Sequence, residues 1–477
     1  MKDLEKKLKT GVSVGFYTKI LTQASQFIFG IILARLLSPE DYGLAGMLAF
    51  FIAFYEMLVD SGFGVAIIQK KEPSDDDYNT VFWFNMVISL ILYVILYVSS
   101  PYIAEFYNDD RLIIISRVLG LVPIINAFGS IQGKYLNKNL KFKSLAKISY
   151  IALVSGSIFA TILAFAGFGV WSLIYKSIFF AVVLNSGFWI ISKWKPKWIF
   201  SVNSFKQLFK FGSKIMLNSF FEVIFKNIYS LIIGKYFNPQ TLGIYTRAKQ
   251  FNDMPDDTVR ISTVQALFPS LSHIQDDNKK LIDVYKKALS LMAFVLFPLY
   301  AILACSAYPM IEVLLTDKWI ESAGYLQLMC IMAVTLPFET VNGNVLYVKG
   351  KSNYILTITI IERVVFVCLI FALIPFGLKG LVYVLIIDAF LKVILYAYFS
   401  RKVINYGIVQ QIKDVSVIIL LAVVSLLVMF PLNYLIENTM IKLILIIVSG
   451  AGIYISLSFI LKLKQIQEVI NLIKFRS

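Results

Sequence analysis

The 477-residue sequence has few of the residues that metal sites and disulfide frameworks require. It contains three cysteines and one histidine. Cys305, Cys330 and Cys368 each stand alone within an apolar run, without the paired spacing of a zinc site or a disulfide framework. His273, without a second histidine, is a poor basis for a histidine-based metal centre. The sequence therefore predicts no metal site.

Motifs for nucleotide binding and hydrolysis are also lacking. The sequence has no Gly-rich phosphate loop ending in Lys-Ser/Thr, no His-Glu-x-x-His and no nucleophile elbow. The loops that we predict on the external side of the membrane are short, so they leave no room for an external catalytic domain. We therefore predict a transporter rather than an enzyme, one that uses no cofactor.

Charged residues make up only 16% of the chain, whereas hydrophobic residues make up 58%, and the mean hydropathy is +0.75. A composition this apolar is typical of an integral membrane protein. The regular polar alternation of an outer-membrane barrel is absent from the sequence, so we predict a helical bundle. The net charge of +16 comes mainly from basic residues in short loops, which indicates membrane topology and not a nucleic-acid partner.

Apolar runs of helical length predict an all-α polytopic protein with about fourteen transmembrane helices. The runs lie at 11–34, 43–69, 79–103, 112–132, 148–167, 169–192, 211–236, 241–270, 287–315, 321–347, 354–374, 379–400, 414–435 and 440–461. Alternate connecting segments, starting with the N-terminus, hold 29 lysines and arginines, and the opposite set holds 6. This asymmetry predicts that both termini are cytoplasmic.

An internal repeat relates the two halves of the sequence. Residues 32–43 match residues 232–243 at an offset of 200, which aligns Pro39 with Pro239 and Gly43 with Gly243. A duplicated apolar unit is typical of transporters built from two halves. We predict an N-terminal six-helix lobe at 1–192, a cytoplasmic basic linker at 193–210 and a C-terminal six-helix lobe at 211–400. Residues 401–477 then hold two additional transmembrane helices and a C-terminal surface helix.

Charged residues at membrane depth mark the candidate site, because lipid cannot solvate them and they normally face protein or a hydrated cavity. The eighth span is the most charged, and Pro255 is expected to bend it. We predict a hydrated cavity of mixed charge between the halves; the alternative is simple pairing of Glu222 with Lys226 and of Asp256 with Arg260. The candidate substrate-binding residues are Lys19, Lys214, Asn218, Glu222, Lys226, Arg247, Lys249 and Arg260.

Four carboxylates are candidates for coupling transport to an ion gradient: Glu56, Asp60, Asp253 and Asp256. Asp60 is the leading candidate, because a second carboxylate, Glu56, lies one helical turn before it on the same helix face. The alternative is that Asp60 pairs with a basic residue or caps the glycine-rich break that follows it. In the later spans, Asp388 and Lys392 are predicted to form a local ion pair.

Several segments resemble bacterial polysaccharide transporters of the O-antigen and colanic acid (Wzx-type) flippase family. They are Asp60-Ser-Gly-Phe-Gly-Val-Ala-Ile-Ile-Gln-Lys, Val81-Phe-Trp-Phe-Asn, Leu267-Phe-Pro-Ser-Leu-Ser and Leu314-Leu-Thr-Asp-Lys-Trp. That family belongs to the multidrug, oligosaccharidyl-lipid and polysaccharide exporter superfamily, whose two six-helix lobes enclose a central cavity. The resemblance implies translocation of undecaprenyl-pyrophosphate-linked oligosaccharide by alternating access. Its implied partners are this lipid-linked oligosaccharide, membrane lipids, and the polymerase and chain-length machinery of polysaccharide synthesis.

Two other functions remain open at the level of the sequence. An ion-coupled exporter of small cationic drugs would use the four carboxylates as its binding groups, although basic residues beside them argue against it. A membrane-embedded glycan polymerase or ligase would normally display a sizeable external loop with catalytic residues, and this sequence shows none.

The last two spans carry almost no charge. They would border a groove for a lipid tail or serve as accessory helices.

Overall fold

The computed structural model describes the backbone of residues 2–273 and 277–468 and the side chains of residues 18–256, 259 and 277–468. Within these ranges the regular structure is helical and contains no β-strand. The prediction of an all-α protein is therefore confirmed. The chain divides into two compact units, Met1–Gly243 and Ile244–Ser477.

The first unit contains ten helices and the first residues of an eleventh within its described part. They are α1 (Lys2–Leu36), α2 (Pro39–Met47), α3 (Ala49–Asp60), α4 (Phe63–Gln69), α5 (Asp75–Tyr107), α6 (Arg111–Leu119), α7 (Leu121–Lys138), α8 (Phe142–Phe165), α9 (Val170–Ser192), α10 (Val202–Tyr236) and the start of α11 (Pro239–His273).

The second unit continues α11 and adds α12 (Asn278–Leu315), α13 (Glu321–Met332), α14 (Leu336–Val348), α15 (Ser352–Leu373), α16 (Gly377–Ile404), α17 (Ile408–Met429), α18 (Leu432–Leu435) and α19 (Thr439–Ile460). Short 3-10 helices at Asp317–Trp319, Ala333–Thr335 and Ile374–Phe376 join some of them.

Eleven helical stretches among the described residues are long and apolar enough to cross a membrane. One of them, Ser352–Ile404, has 53 residues and includes both α15 and α16, which the sequence predicts as separate spans. The helices that cover the predicted first and eighth spans, α1 and α11, are not among the eleven. In α11 the six charged residues between positions 247 and 260 account for this. The chain is thus a helical membrane protein with many spans.

The predicted repeat is present in the helix boundaries. Helices α1 and α10 are both 35 residues long, and their ends lie 200 positions apart. The following helices α2 and α11 begin at Pro39 and Pro239, where a missing backbone N–H costs nothing. Each start is capped by the preceding side chain: Asp41 N donates to Ser38 Oγ (3.2 Å), and Thr241 N donates to Asn238 Oδ1 (2.8 Å).

The repeated glycines make a reciprocal contact within the first unit. A Cβ added to Gly43 would lie 1.7 Å from the carbonyl oxygen of Pro239, and one added to Gly243 would lie 1.9 Å from that of Pro39. Each repeat therefore places its glycine against the proline of the other, as a two-fold-related contact does. Any larger side chain would force the first turns of α2 and α11 apart.

The segment predicted as a linker is held against the start of α5. Trp83 Nε1 donates to the Lys197 carbonyl (2.8 Å), and the backbone N–H of Lys197 donates to Asn79 Oδ1 (2.6 Å). The rings of Trp83 and Trp198 stack with centroids 3.9 Å apart. Helix α10 begins at Val202, inside the predicted linker, and packs against α3, α4 and α5. The lobe boundaries near 192 and 211 stay a prediction.

An ion pair network closes the loop between α5 and α6. The Arg111 guanidinium donates to Asp109 (Nη2 to Oδ2, 2.6 Å) and to Glu40 of α2 (Nη2 to Oε1, 2.7 Å). Hydrogen bonding from Arg111 lowers the pKa of Asp109 below its usual value, so this carboxylate stays charged. The folding stability that the Arg111–Asp109 contact contributes is present at neutral pH and is lost as the pH falls through the lowered pKa of Asp109.

We expect Gly43→Ala and Gly243→Ala each to destabilise the protein, because the added methyl group would overlap a backbone oxygen. Overpacking costs about 1–3 kcal/mol, and backbone atoms relieve it less easily than side chains. The measurement is the midpoint of thermal unfolding in detergent, followed by size-exclusion chromatography. Gly452→Ala is the control, since a Cβ at Gly452 meets no atom within 4 Å. Equal midpoints in all three variants would contradict the close contact.

Candidate functional site

Helix α10 presents the predicted polar stripe on its exposed side. Lys214, Asn218, Glu222 and Lys226 are spaced four apart, and all four are exposed in the first unit. Successive positions four apart rotate slowly around a helix, so the stripe winds gradually along α10. The second half of this stripe faces a cavity, whereas Lys214 and Asn218 do not line it.

The cavity has a volume of about 380 Å³ and lies between α3 and α10. Three predicted site residues, Asp60, Glu222 and Lys226, contribute to its wall. The full lining is Ala53, Met57, Asp60, Gly62, Met216, Ser219, Glu222, Val223, Lys226 and Asn227. The wall of the cavity thus combines apolar side chains with charged groups of both signs.

A break in the chain at the end of α3 brings Asp60 to this cavity. Helix α3 ends at Asp60, and Ser61 and Gly62 then take positive φ values of 44° and 73°. A Cβ on Gly62 would lie 2.2 Å from the carbonyl oxygen of Gly212, so α10 approaches this turn closely. The glycine is required by the backbone angle and by the contact together. The turn therefore fixes the position of Asp60 relative to α10.

Lys134 of α7 is the nearest basic partner of Asp60 in the structure. Its Nζ lies 3.8 Å from Asp60 Oδ1, and the two side chains are 32% and 38% exposed. A contact this long and this exposed contributes less than about 1 kcal/mol. This contact is the pairing with a basic residue that was the alternative interpretation of Asp60. Lys134 and Lys226 thus bring two basic groups to the region that contains the carboxylates of Asp60 and Glu222.

Glu56, one turn before Asp60, belongs to a second polar chain that the sequence analysis missed. Asn126 Nδ2 of α7 donates to Glu56 Oε1 (2.9 Å), and Asn185 Nδ2 of α9 donates to Asn126 Oδ1 (3.1 Å). Asn185 is buried, and its amide also donates to the Ala181 carbonyl (2.7 Å). Charge alone did not predict these asparagines as partners of Glu56. Their amide groups lie inside apolar spans, and that position is the feature of the sequence that could have indicated them.

The remaining candidates of the first unit and of α11 lie elsewhere. Lys19 is half-buried on α1. Lys249 Nζ contacts Asp253 Oδ2 at 2.7 Å, one turn along α11 in the second unit, and Asp256 is half-buried there. The side chain of Arg260 lies outside the described residues. Among the eleven candidates whose side chains the structure describes, Asp60, Glu222 and Lys226 line the cavity between α3 and α10.

Arg247 is buried in the second unit, at 4% exposure. Its Nη1 donates to Gln250 Oε1 (2.8 Å), and its guanidinium carbon lies 5.0 Å from the ring centroid of Trp319. Contact with an aromatic face stabilises a guanidinium away from water. This environment favours a packing role for Arg247, in contrast to the exposed Lys226.

A further charged cluster joins α15 and α16 in the second unit. Lys392 Nζ lies 3.0 Å from Asp388 Oδ2 and 3.3 Å from Glu362 Oε1, so the predicted Asp388–Lys392 ion pair is confirmed. Arg363 Nη1 also contacts Glu362 Oε1 at 3.3 Å. Both carboxylate side chains are 7% exposed. A buried carboxylate can stay ionised when a basic group lies beside it, and in this cluster each carboxylate has such a partner.

Comparisons with known proteins agree with this architecture. Residues 32–324 match the family described as polysaccharide biosynthesis protein. The teichuronic acid biosynthesis protein TuaB of Bacillus subtilis (strain 168) is 26% identical over 302 residues, which cover 63% of this chain and 62% of that protein. The succinoglycan biosynthesis transport protein ExoT of Rhizobium meliloti (strain 1021) is 24% identical over 346 residues, covering 72% and 69%.

Among solved structures, the lipid II flippase MurJ in an inward closed conformation matches with a TM-score of 0.74. The identity is 18%, and the match covers 93% of this chain and 98% of that one. At this identity the match shows a shared all-α fold.

We expect Asn185→Ala to destabilise the first unit. It removes the donor to Asn126 Oδ1, and it leaves a gap beside Gly129, where a Cβ would lie 2.0 Å from Asn185 Oδ1. Losing a buried hydrogen-bond partner costs about 1–3 kcal/mol. Thermal unfolding in detergent is the measurement. The control is Asn139→Ala, since the Asn139 amide also donates to a carbonyl one turn back (Tyr135, 2.8 Å) but at an exposed site. A loss of stability no larger than that of the control would contradict a structural role for this polar chain.

Proposed function

Because the chain belongs to the polysaccharide biosynthesis protein family, we propose that it is a flippase for the lipid-linked precursors of a surface polysaccharide. Its substrate is an undecaprenyl-pyrophosphate-linked oligosaccharide, which it moves from the cytoplasmic to the outer leaflet of the bacterial cytoplasmic membrane. No covalent chemistry is required. The observation that carries the proposal is the cavity of about 380 Å³ between α3 and α10, with a lysine in its wall.

The lining of the cavity holds two carboxylates and one lysine, and Lys134 beside Asp60 brings a second ammonium group, so the charges of the site are balanced and it can accept a phosphorylated sugar. Lys226 supplies an ammonium group for phosphate oxygens, and charge-assisted hydrogen bonds of this kind are roughly twice as strong as neutral ones. Asp60, Glu222 and Asn227 offer hydrogen-bond acceptors and, from Asn227, a donor for sugar hydroxyls. A carrier of cationic drugs would place its carboxylates away from lysines, whereas Lys134 lies 3.8 Å from Asp60 here.

We propose alternating access as the mechanism, because the sequence repeat is also present in the structure, where α1 and α10 have the same length and corresponding ends. Inverted or parallel repeats allow a transporter to expose one site to either side of the membrane. The basic residues of alternate segments, 29 against 6, support cytoplasmic termini. Substrate would then enter from the side of its synthesis, and the polymerase and chain-length machinery would take it on the other side.

Lys226→Gln should reduce polymer export, because it removes a charge that we assign to phosphate binding. Losing one hydrogen bond to a charged group costs about 1.5–3 kcal/mol, which corresponds to a roughly tenfold to hundredfold weaker interaction. The measurement is surface polymer, with lipid-linked monomer units in the membrane fraction, in a strain that depends on this chain. Monomer units should accumulate inside.

The matched control is Lys210→Gln, an exposed lysine on the same helix that does not line the cavity. Both variants must reach the membrane in equal amounts. Equal export by the two variants would overturn the assignment of the cavity.

For energy coupling we propose Asp60, at the edge of the cavity and beside Lys134. Asp60→Asn in reconstituted vesicles should abolish the dependence of transport on an imposed proton or sodium gradient. Lys134→Met separates the two roles of Asp60, because it removes the ion contact and keeps the carboxylate. If Asp60→Asn leaves the gradient dependence intact, Asp60 is structural and coupling lies elsewhere or is absent.

A further inference from the structure

A second pocket of the first unit is apolar and lies between α3, α5 and α10. Its volume is about 540 Å³. Phenylalanine rings form much of its wall, with Phe50 and Phe54 from α3 and Phe106 from α5. The ring of Phe54 also meets that of Phe220 on α10 edge to face, with centroids 5.9 Å apart. The aromatic pair marks the place where α3 and α10 touch.

The lining offers little to a polar ligand. Three side chains with a hydroxyl group line the pocket. The Tyr55 hydroxyl donates to the Ser89 carbonyl, the Ser99 hydroxyl donates to the Leu96 carbonyl (3.2 Å), and Tyr102 is 70% exposed. Apolar space of this size is costly to leave empty, and water would find few hydrogen bonds in it. The chemistry of the wall therefore selects a hydrocarbon.

The pocket opens on a face that meets the membrane. Its wall includes Ile95 and Tyr102 of α5, which are 55% and 70% exposed. Both lie within the stretch Asp75–Tyr107, which has the length and hydropathy of a membrane span. A lipid chain can thus enter from the side without crossing a polar surface.

The same two helices border both pockets. On α3, Ala53, Met57 and Asp60 face the charged cavity, whereas Phe50, Phe54 and Leu58 face the apolar pocket. On α10, Lys226 lines the cavity, and Leu231 lines the pocket five residues later, about 7.5 Å further along the helix axis. A ligand with a charged head and a long apolar chain is the kind of molecule that uses both at once.

We infer that the apolar pocket holds the polyprenyl chain of the lipid-linked substrate while its phosphorylated head occupies the charged cavity. The inference rests on the proposed function and adds a chain-binding site in the first unit, away from the last two spans. We commit to the polyprenyl lipid as the occupant, because the carboxylates and the amide of the charged cavity suit the sugar hydroxyls that its head carries beside the phosphate groups.

The test places a photoreactive amino acid at Ile95, in the pocket wall, or at Val98, three residues further on α5 and outside the pocket. Val98 is 63% exposed, so both positions meet lipid. The full-length protein is embedded in nanodiscs of phosphatidylethanolamine and phosphatidylglycerol with a small fraction of undecaprenyl phosphate, and adducts are weighed by mass spectrometry. At Ile95, polyprenyl adducts should exceed the mole fraction of the lipid by at least roughly tenfold, a difference of 1.4 kcal/mol. At Val98 they should follow the mole fraction.

Ser99→Trp, which fills the pocket, should remove the enrichment at Ile95, and Val98→Trp should leave it unchanged. Adducts at Ile95 that follow the mole fraction, or that are mainly phospholipid, would overturn the inference. If this occurs while Lys226→Gln still impairs export, the chain-binding site fails and the proposed function stands. Enrichment at Ile95 together with normal export by Lys226→Gln would instead overturn the placement of the head in the charged cavity and keep a polyprenyl site, whereas normal export from cells that lack the protein would remove the proposed function.

Discussion

The structure depends on one constraint, which is that ionisable side chains inside an apolar helical bundle must be paired, hydrogen-bonded or hydrated. Bare charges in hydrocarbon cost several kcal/mol, so a bundle that retains them has a use for them or a partner for them. Each of the two units meets the constraint in its own way. In the second unit Lys392 lies between Glu362 and Asp388, and both carboxylates are buried. In the first unit Asp60, Glu222 and Lys226 surround open space.

That contrast separates charges that hold helices together from charges that can meet a ligand. Lys392 reaches both carboxylates at 3.3 Å or less, and a cluster this close leaves little room for another molecule. Asp60 contacts Lys134 only at 3.8 Å, with both side chains about one-third exposed. The weaker contact is easier to exchange for a ligand or an ion. The open cavity of the first unit is therefore where we place substrate recognition.

Local patterns in the sequence predicted the helices and the repeat, because helix length, hydropathy and offset are properties of the chain itself. Helices α1 and α10, with ends 200 residues apart, follow directly from that repeat. The partners of the charged residues were not predictable in the same way. Asn126 and Lys134 reach Glu56 and Asp60 across about 70 residues of sequence, and only the packing of α7 against α3 and α4 brings them there. Likewise, nothing local indicates that Arg247 lies buried against Trp319.

Direct translocation in proteoliposomes tests the central claim that this protein is a lipid-linked oligosaccharide flippase. Vesicles would hold purified full-length protein and a short fluorescent oligosaccharide on undecaprenyl pyrophosphate, and a membrane-impermeant quencher would report the fraction of sugar in the outer leaflet. The account predicts that this fraction changes with time only in vesicles that contain the protein, and that a phospholipid carrying the same fluorophore does not move. Equal movement of the two lipids, or none of either under every imposed gradient, would contradict it.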